Sequence, residues 1–245
     1  MSIFDAKYSE SDDKKPANFT QFKQGGAIPN AISERHVACV FLLDVSGSMM
    51  QNDAIGKLNK GMVDFGKHML NDGRVANVVD TAIVTFGNDV KVVQDWMPVS
   101  EMTAPVLTAK GNTPLGKALR KALEMIEDRK KVYKATGTPY YRPWIFCVTD
   151  GVPTDDWKDA AKKLKEAEDD KKVIARCVCV ENDPNFSRAE IRQIFDPSRI
   201  LKLEGLDFSG LFEFVSNSLS AVSKSNPSTD KTISVEVPRT LTMDI

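Results

Sequence analysis

The sequence is short of histidine and has no long apolar run, and each shortage excludes a class of protein. Only two histidines, His36 and His68, occur in 245 residues. Neither lies at a motif spacing from a serine, cysteine or glutamate, which argues against a catalytic histidine. No stretch of about 18 apolar residues is present, so we expect no membrane-spanning helix. The N-terminus also lacks the charged-then-apolar pattern of a secretory signal, and we therefore expect a cytoplasmic protein.

An excess of one charge and the common nucleotide-binding motifs are also missing. Lysine and arginine together number 33, and aspartate and glutamate number 34, a balance that argues against a nucleic-acid or anionic-membrane binder. The phosphate-binding pattern G-x-x-x-x-G-K-[ST] and the dinucleotide pattern G-x-G-x-x-G are both absent. The cysteines all lie in apolar runs and are interpreted as buried thiols in a reducing compartment. They are Cys39, Cys147, Cys177 and Cys179.

What the sequence does contain is an alternation of strand-like and helical patterns between two polar ends. Strands are predicted over 36–43, 78–86, 90–94, 144–148, 173–180 and 199–203. Helices are predicted over 55–69, 113–126, 156–170, 187–195 and 209–223. This order is typical of a doubly wound α/β fold with a mostly parallel six-stranded sheet and helices on both faces. The strand over 90–94 is predicted to be an antiparallel edge.

The polar ends are predicted to lie outside this domain, which spans 36–224. Residues 1–35 have few apolar anchors and are predicted to form a flexible arm, and residues 225–245 a polar tail. One alternating stretch of the tail, 232–237, could add a strand to an edge of the sheet.

One motif, Asp44-x-Ser46-x-Ser48, follows directly on the first predicted strand. Alternate residues of an extended strand point to the same side, so these three side chains can converge as the strand ends. Carboxylate and hydroxyl oxygens are hard ligands that suit Mg²⁺ or Ca²⁺ better than zinc or copper. The motif therefore predicts part of a metal site.

Thr113 and Asp150 complete the predicted site. Asp150 comes just after the strand over 144–148, and the carboxyl ends of neighbouring parallel strands meet at the edge of the sheet where ligands bind. Thr113 opens the second long helix. Two carboxylates and three hydroxyls are enough for an octahedral Mg²⁺ if waters fill some positions and one position stays open.

Each of these residues also has a purely structural interpretation. Ser48 could cap the first helix, and Thr113 before Pro114 is a typical N-cap followed by a proline at the first helical position. Thr149-Asp150-Gly151 could be only a turn. A residue can both cap a helix and coordinate a metal, so the two interpretations do not exclude one another.

The five residues together resemble the metal-ion-dependent adhesion site of von Willebrand factor A domains. The pattern of that site is D-x-S-x-S, a distant Thr and a distant Asp, and the resemblance covers residues 36–223. It implies that Ser46 and Ser48 bind Mg²⁺, or Mn²⁺ or Ca²⁺, directly, and that Thr113 binds directly or through water. Asp44 and Asp150 would act through coordinated waters. An Asp or Glu of a partner protein would take the open position.

Flanking motifs resemble a narrower, bacterial subgroup of the TerY/YegL type. They are Val84-Thr85-Phe86-Gly87, Thr113-Pro114-Leu115-Gly116 and residues 149–157. The subgroup is associated with tellurite and stress resistance, and its members are typically encoded beside a protein kinase and a PP2C-type phosphatase. The resemblance therefore implies a signalling scaffold, not an enzyme, with a Ser/Thr kinase and a PP2C-type phosphatase as expected partners.

Two other functions stay open on the sequence. One is a metal-dependent phosphoryl-transfer enzyme, and the other is a passive scaffold whose metal is only structural. Asp44 at a strand end invites comparison with aspartyl phosphotransferases, but those need a second acid two residues on, where this chain has Ser46.

Overall fold

The computed structural model describes residues 25–180, 188–226 and 235–243. Its strands are β1 (Val37–Asp44), β2 (Val79–Phe86), β3 (Val90–Pro98), β4 (Trp144–Thr149), β5 (Ile174–Val180), β6 (Ile200–Leu203) and β7 (Leu241–Met243). Its helices are α1 (Ala54–Leu70), α2 (Gly73–Val78), α3 (Leu115–Thr136), α4 (Lys158–Asp169), α5 (Arg188–Ile194) and α6 (Phe208–Lys224).

The sheet is parallel in its centre and antiparallel at both edges. Its strand order is β3-β2-β1-β4-β5-β6-β7. β1 pairs in parallel with β2 on one side and with β4 on the other, while β3 and β7 run antiparallel to their neighbours. The order of the chain therefore reverses between β1 and β4, where doubly wound sheets bind their ligands. The predicted α/β fold, with helices on both faces, is confirmed.

The sheet has one strand more than the six that the sequence predicted. The tail returns after α6, and Leu241–Met243 pairs antiparallel with β6. Leu241 is buried, but a single buried residue between two threonines gives no recognisable strand pattern. Residues 235–237, within the stretch predicted as an added strand, form no strand, and residues 232–234 lie outside the described ranges.

The two faces of the sheet carry separate apolar layers. On one face α1 and α6 pack over β1, and the rings of Phe41, Phe65 and Phe212 lie with their centroids between 5.1 and 6.1 Å apart. Gly61 allows α1 this close to α6, since a Cβ there would lie 2.6 Å from Cδ2 of Phe212. The opposite face is covered by α3, α4 and α5.

The turn that ends α1 also opens a short helix. Asp72 caps α2 by accepting hydrogen bonds from the N–H groups of Arg74 and Val75 at 3.2 and 3.1 Å. Val78, predicted as the start of a strand, is the last residue of α2. The Asp-Gly pair stops one helix and, because aspartate is a strong N-cap, starts the next.

The cysteines and the character of the helices are the features that the composition addressed. The four cysteines are free and buried, as the apolar runs around them predicted. Within the described ranges, none of the helices combines the length and the apolar character that a membrane span needs.

Residues 25–35, predicted as part of the arm, lie against the domain. Asn30 Nδ2 donates a hydrogen bond to Glu101 Oε1 at 3.1 Å, and Arg74 Nε donates to Glu34 Oε2 at 2.6 Å. The remainder of the predicted arm, residues 1–24, lies outside the described residues, as do residues 227–234 of the predicted tail.

A buried ionic cluster lies at the amino ends of β1 and β2. Asp80 Oδ2 lies 2.8 Å from Nδ1 of His36 and 2.9 Å from Nη2 of Arg129, and it accepts a hydrogen bond from the hydroxyl of Tyr133. All four residues are 0% exposed. Burial disfavours the charged form of Asp80, but the hydrogen bond from His36 and the charge of Arg129 outweigh burial and lower the pKa of Asp80. The cluster links α3 to β1 and β2 through buried hydrogen bonds and an ion pair.

Asp80→Ala is expected to lower the free energy of unfolding by about 3–5 kcal/mol, because the guanidinium of Arg129 would stay buried without its counter-charge. Asp89→Ala, in the exposed turn after β2, should cost less than about 0.5 kcal/mol. Urea unfolding of the full chain at neutral pH measures both. Equal costs for the two variants would contradict the role given to the cluster.

The stability difference between the wild type and Asp80→Ala should depend on pH. Because the folded pKa of Asp80 lies below its unfolded value, the stabilisation is present above the unfolded pKa and is lost as the pH falls through the folded pKa. The difference in unfolding free energy between the wild type and Asp80→Ala should therefore shrink below about pH 4. A difference that stays constant in acid would show that the charge of Asp80 contributes nothing.

Candidate metal centre

Adjacent strands place two carboxylates at the same edge of the sheet. Asp44 is the last residue of β1, and Asp150 follows directly on Thr149, the last residue of β4. The parallel register pairs Leu43 with Val148, so the two carboxylates leave the sheet side by side. Both residues are 0% exposed.

The hydroxyls of Ser46 and Ser48 converge on Asp150. Ser46 Oγ lies 3.0 Å from Ser48 Oγ. Both hydroxyls donate toward Oδ1 of Asp150, Ser48 Oγ at 2.7 Å and Ser46 Oγ at 3.5 Å. The backbone N–H of Ser46 donates to Oδ1 of Asp44 at 2.8 Å, which fixes the turn after β1. Oxygens from two loops therefore share one small volume.

Asp44 accepts a further hydrogen bond from the neighbouring strand. Thr149 Oγ1 donates to Oδ2 of Asp44 at 2.6 Å. Burial and, to a smaller extent, the charge of Asp150 raise the pKa of Asp44 to about 7, although hydrogen bonds from Ser46 and Thr149 oppose the rise. Two like charges without exposure to water disfavour each other's ionised form. A bound cation would reverse this effect.

Thr113 approaches the Asp150 loop through Gly151. An ideal Cβ on Gly151 would lie 2.8 Å from Thr113 Oγ1, so the glycine leaves room for the threonine hydroxyl. The N–H of Thr113 donates to Thr154 Oγ1 at 3.0 Å, and the N–H of Thr154 donates to the Thr113 carbonyl at 2.9 Å. Thr113 is buried. The structure thus brings the fifth predicted residue to the loop that carries Asp150.

A second glycine holds the Thr113 loop against the loop that carries Ser46. The N–H of Gly47 donates to the Gly111 carbonyl at 2.9 Å. Gly111 has a φ of +89°, and a Cβ there would lie 1.9 Å from Oδ1 of Asn88. Any other residue would be strained and would collide with Asn88, so this glycine fixes where the loop crosses.

The N-terminus of α3 is capped by a residue that the sequence did not assign to it. Asp155 accepts hydrogen bonds from the N–H groups of Gly116 and Lys117 at 2.9 and 2.7 Å. The residue before α3 is Pro114, so the interpretation of Thr113 as its N-cap is wrong. A carboxylate at a helix N-terminus is stabilising, and here it joins the Asp150 loop to α3.

Ser48 does not cap α1 either. It lies in a 3-10 helix, Gly47–Asp53, and α1 begins only at Ala54. The last two residues of this segment, Asn52 and Asp53, have φ of 51° and 56°. This left-handed conformation changes the direction of the backbone before α1 and is costly for residues other than glycine. The structural interpretation of Ser48 is therefore wrong, and its hydroxyl contacts Asp150 instead.

These oxygen positions fit a small, hard cation. In an octahedral magnesium site with bonds of about 2.1 Å, neighbouring ligands are about 3.0 Å apart. The hydroxyls of Ser46 and Ser48 have that separation, 3.0 Å. Thiolates and imidazoles are absent from the set of five residues, which argues against zinc and copper.

The set is poor in charged ligands. Over residues 25–180, 188–226 and 235–243, no group of three or more His, Cys, Asp or Glu is placed to hold a metal ion. The candidate centre supplies two carboxylates, Asp44 and Asp150, and its other oxygens belong to hydroxyls. It is therefore a different kind of site from an acidic cage, because most of its candidate ligand oxygens are neutral hydroxyls.

A family comparison covers this part of the chain. Residues 39–152 match the model of the von Willebrand factor type A domain, a segment that includes all five candidate ligands. The matched segment is just under half of the chain and is similar in sequence to von Willebrand factor A domains. Comparison with curated protein sequences gives no significant match.

Solved structures share the fold at low sequence identity. The pilus adhesin SpaC from Lactobacillus rhamnosus GG, in its open conformation, aligns with a TM-score of 0.62 and 16% identity over 81% of this chain and 31% of the adhesin. The vWF domain of the type V pili tip protein Mfa5 from Porphyromonas gingivalis aligns with a TM-score of 0.58 and 10% identity over 79% and 98%. The conserved hypothetical protein BatB from Bacteroides thetaiotaomicron gives 0.53 and 16% over 77% and 100%. This chain spans less than a third of SpaC, and such identities show the fold alone.

Thr149→Val is expected to lower the free energy of unfolding by about 1–3 kcal/mol, because a buried acceptor on Asp44 loses its donor. Thr85→Val makes the same change in β2, on the other side of β1, at another buried position, and should cost less. Urea unfolding in the presence of EDTA measures both variants without interference from metal. If Thr149→Val costs no more than Thr85→Val, the hydrogen bond to Asp44 is not a significant support of the site.

Proposed function

We propose that this chain contains a von Willebrand factor A domain that binds a divalent cation and uses it to hold an acidic side chain of a protein partner, without catalysis. The proposed ligands are Asp44, Ser46, Ser48, Thr113 and Asp150. The observation that supports this most directly is the convergence of the Ser46 and Ser48 hydroxyls on Asp150, beside a second fully buried carboxylate.

The ligands have different proposed roles. Ser46 and Ser48 bind the cation directly, since their hydroxyls already lie at octahedral spacing. Thr113 binds directly or through water. Asp44 and Asp150 act mainly through coordinated waters and supply the negative charge that attracts the cation.

The small ligand charge explains why the proposed partner is acidic. Hydroxyls are neutral, and carboxylates that act through water neutralise a cation less than carboxylates that touch it. A divalent cation held this way keeps a strong attraction for one more anionic oxygen. An Asp or Glu side chain of a partner supplies that oxygen at the open position, in a contact that is charged and largely desolvated.

The proposed ligands select a class of cation, the hard divalent ions. Oxygen ligands of this kind accept Mg²⁺, Mn²⁺ and Ca²⁺. We propose Mg²⁺ as the resident ion because the spacing of the two serine hydroxyls fits its short bonds.

The proposed partners come from the resemblance to the TerY/YegL-type subgroup. In that context the domain is a cytoplasmic scaffold in a stress or tellurite-resistance signalling system. Its partners are a Ser/Thr kinase and a PP2C-type phosphatase, one of which presents the acidic side chain. The arrangement of the site supports binding of such a residue, and the motifs around Thr113 and Asp150 support the subgroup.

Phosphoryl transfer is the less favoured alternative. The histidines, the usual general bases, lie elsewhere: His36 is in the buried cluster at the amino end of β1, and His68 lies in the last turn of α1. A phospho-aspartate at Asp44 needs a second acid two residues on, and Ser46 occupies that position. A purely structural metal is the other alternative, and partner binding separates it from the proposal.

Adding MgCl₂ or MnCl₂ to the full chain freed of metal by EDTA should raise its melting temperature by about 5–10 °C at saturating metal, since ligand at about 100 times its dissociation constant adds about 2.7 kcal/mol. Asp150→Ala should abolish the shift. Asp89→Ala removes an exposed acid outside the candidate centre and should keep it. A shift of the same size in both variants would show that the metal binds elsewhere.

Affinity capture with the tagged full chain from bacterial lysate should retain a kinase or a phosphatase in Mg²⁺ but not in EDTA. Asp44→Ala should lose the captured protein, because changing one supporting carboxylate typically costs at least about tenfold in metal affinity. Equal capture by the wild type with metal, the wild type with EDTA and Asp44→Ala would contradict docking through the metal. Loss of the melting shift with capture intact would favour a structural metal.

An assay of phosphate release distinguishes the proposed binding function from the enzymatic alternative. The purified wild type, loaded with Mg²⁺ or Mn²⁺, should release no phosphate from a phosphopeptide or from ATP above the level of Asp150→Ala. Phosphate release that depends on Asp150 would contradict the non-catalytic function.

A further inference from the structure

Thr113 is held in place by a residue of the loop that carries Asp150. The N–H of Thr113 donates to Thr154 Oγ1 at 3.0 Å, and the Thr113 carbonyl accepts from the N–H of Thr154 at 2.9 Å. One residue therefore bonds to both backbone groups of Thr113, although the two lie 41 positions apart in the chain.

The helix that follows Thr113 does not fix its backbone alone. α3 begins at Leu115, and a proline at position 114 disfavours a helical conformation of the residue before it. The Thr113 carbonyl also accepts from the N–H of Leu115 at 2.8 Å, but the N–H of Thr113 bonds to Thr154 and not within the helix. Thr113 is buried, and a buried backbone N–H needs an acceptor. The hydroxyl of Thr154 therefore determines where this backbone lies.

The position of Thr154 is set on both sides by its neighbours in the chain. Pro153, before it, has a fixed φ. Asp155, after it, accepts hydrogen bonds from the N–H groups of Gly116 and Lys117 at 2.9 and 2.7 Å. The loop is thus fastened to the start of α3, and it presents the hydroxyl of Thr154 at a defined place.

The same contact determines where the Thr113 hydroxyl lies relative to the metal centre. A Cβ on Gly151 would lie 2.8 Å from Thr113 Oγ1, so this hydroxyl lies against the residue next to Asp150. A displacement of the Thr113 backbone would carry the hydroxyl with it. Thr154 itself is exposed, so a change of its side chain leaves the apolar layers of the domain intact.

Given the proposed function, on which this inference rests, we propose that Thr154 is a positioning residue of the metal centre. Its hydroxyl does not bind the cation. It holds the backbone of Thr113 so that the Thr113 hydroxyl binds the cation directly or through water. Groups that orient a metal ligand without touching the metal typically contribute about tenfold or more to metal affinity.

Binding of Mn²⁺ to the full chain, freed of metal by EDTA and then of EDTA by gel filtration, tests this role. Free Mn²⁺ is measured from its electron paramagnetic resonance signal. Thr154→Val keeps the shape of the side chain but removes the acceptor, and it should raise the dissociation constant about tenfold. Thr154→Ser keeps the hydroxyl and should bind as the wild type does. Thr242→Val makes the same change at an exposed position of the edge strand β7 and should leave binding unchanged.

A double variant tests whether Thr154 acts through Thr113. Thr113→Ala removes the proposed ligand, so the addition of Thr154→Val should weaken binding little further, because both changes affect the same contact. Independent losses that multiply in the double variant would overturn the proposal. Equal weakening by Thr154→Val and Thr154→Ser would overturn it as well, because the hydroxyl would then have no part in the effect.

Thermal melting in EDTA separates positioning from a purely structural role. Thr154→Val should lower the melting temperature by no more than about 4 °C, the effect of one hydrogen bond in a domain of this size. A lower melting temperature with an unchanged dissociation constant would overturn the proposal. If the wild type binds Mn²⁺ and Thr154→Val binds it equally well, the positioning role alone fails. If the wild type itself binds no Mn²⁺, the proposed function fails and the positioning role fails with it.

Discussion

Two carboxylates of like charge, Asp44 and Asp150, lie fully buried at the adjacent ends of β1 and β4, and the surrounding loops are arranged around that constraint. The hydroxyls of Ser46, Ser48 and Thr149 and the backbone of Ser46 all donate to these two groups. Such donors stabilise a carboxylate only in part, and the pKa of Asp44 remains raised. The site therefore favours one further positive charge, which a divalent cation would supply.

At the opposite end of the sheet lies another buried acid, Asp80, which has a structural role. Asp80 is as deeply buried as Asp44, but its charge is matched by Arg129 and by the hydrogen bond from His36, and its pKa is lowered. One aspartate is neutralised within the protein, and the other is held beside a like charge. Carboxylates with a pKa perturbed by burial and a like charge concentrate at functional sites. The contrast supports a binding function at the carboxyl edge and a structural function at the amino edge.

The sequence predicted those features that depend on local pattern. Asp44 ends one strand, with Ser46 and Ser48 at alternate positions after it, and Asp150 directly follows another strand, so their common edge follows from the topology. The support from Thr149 depends on the register between β1 and β4, whose residues are about a hundred positions apart, and local pattern carries no such information. Asp155 caps α3 and not the helix that follows it in sequence, a contact between distant segments that local pattern does not indicate. The strand β7 has one buried residue, Leu241, and one partly buried residue, Met243, which is too little for a recognisable pattern.

The central claim is that a divalent cation binds between the hydroxyls of Ser46 and Ser48. The most direct test is a crystal structure of the full chain grown in MnCl₂, with data collected at the manganese absorption edge. The account predicts one anomalous peak at a bonding distance of about 2.1–2.3 Å from both serine hydroxyls, with Thr113, Asp44 and Asp150 in contact directly or through water. An anomalous map without a peak at this position, from crystals in which these loops are ordered, would contradict it.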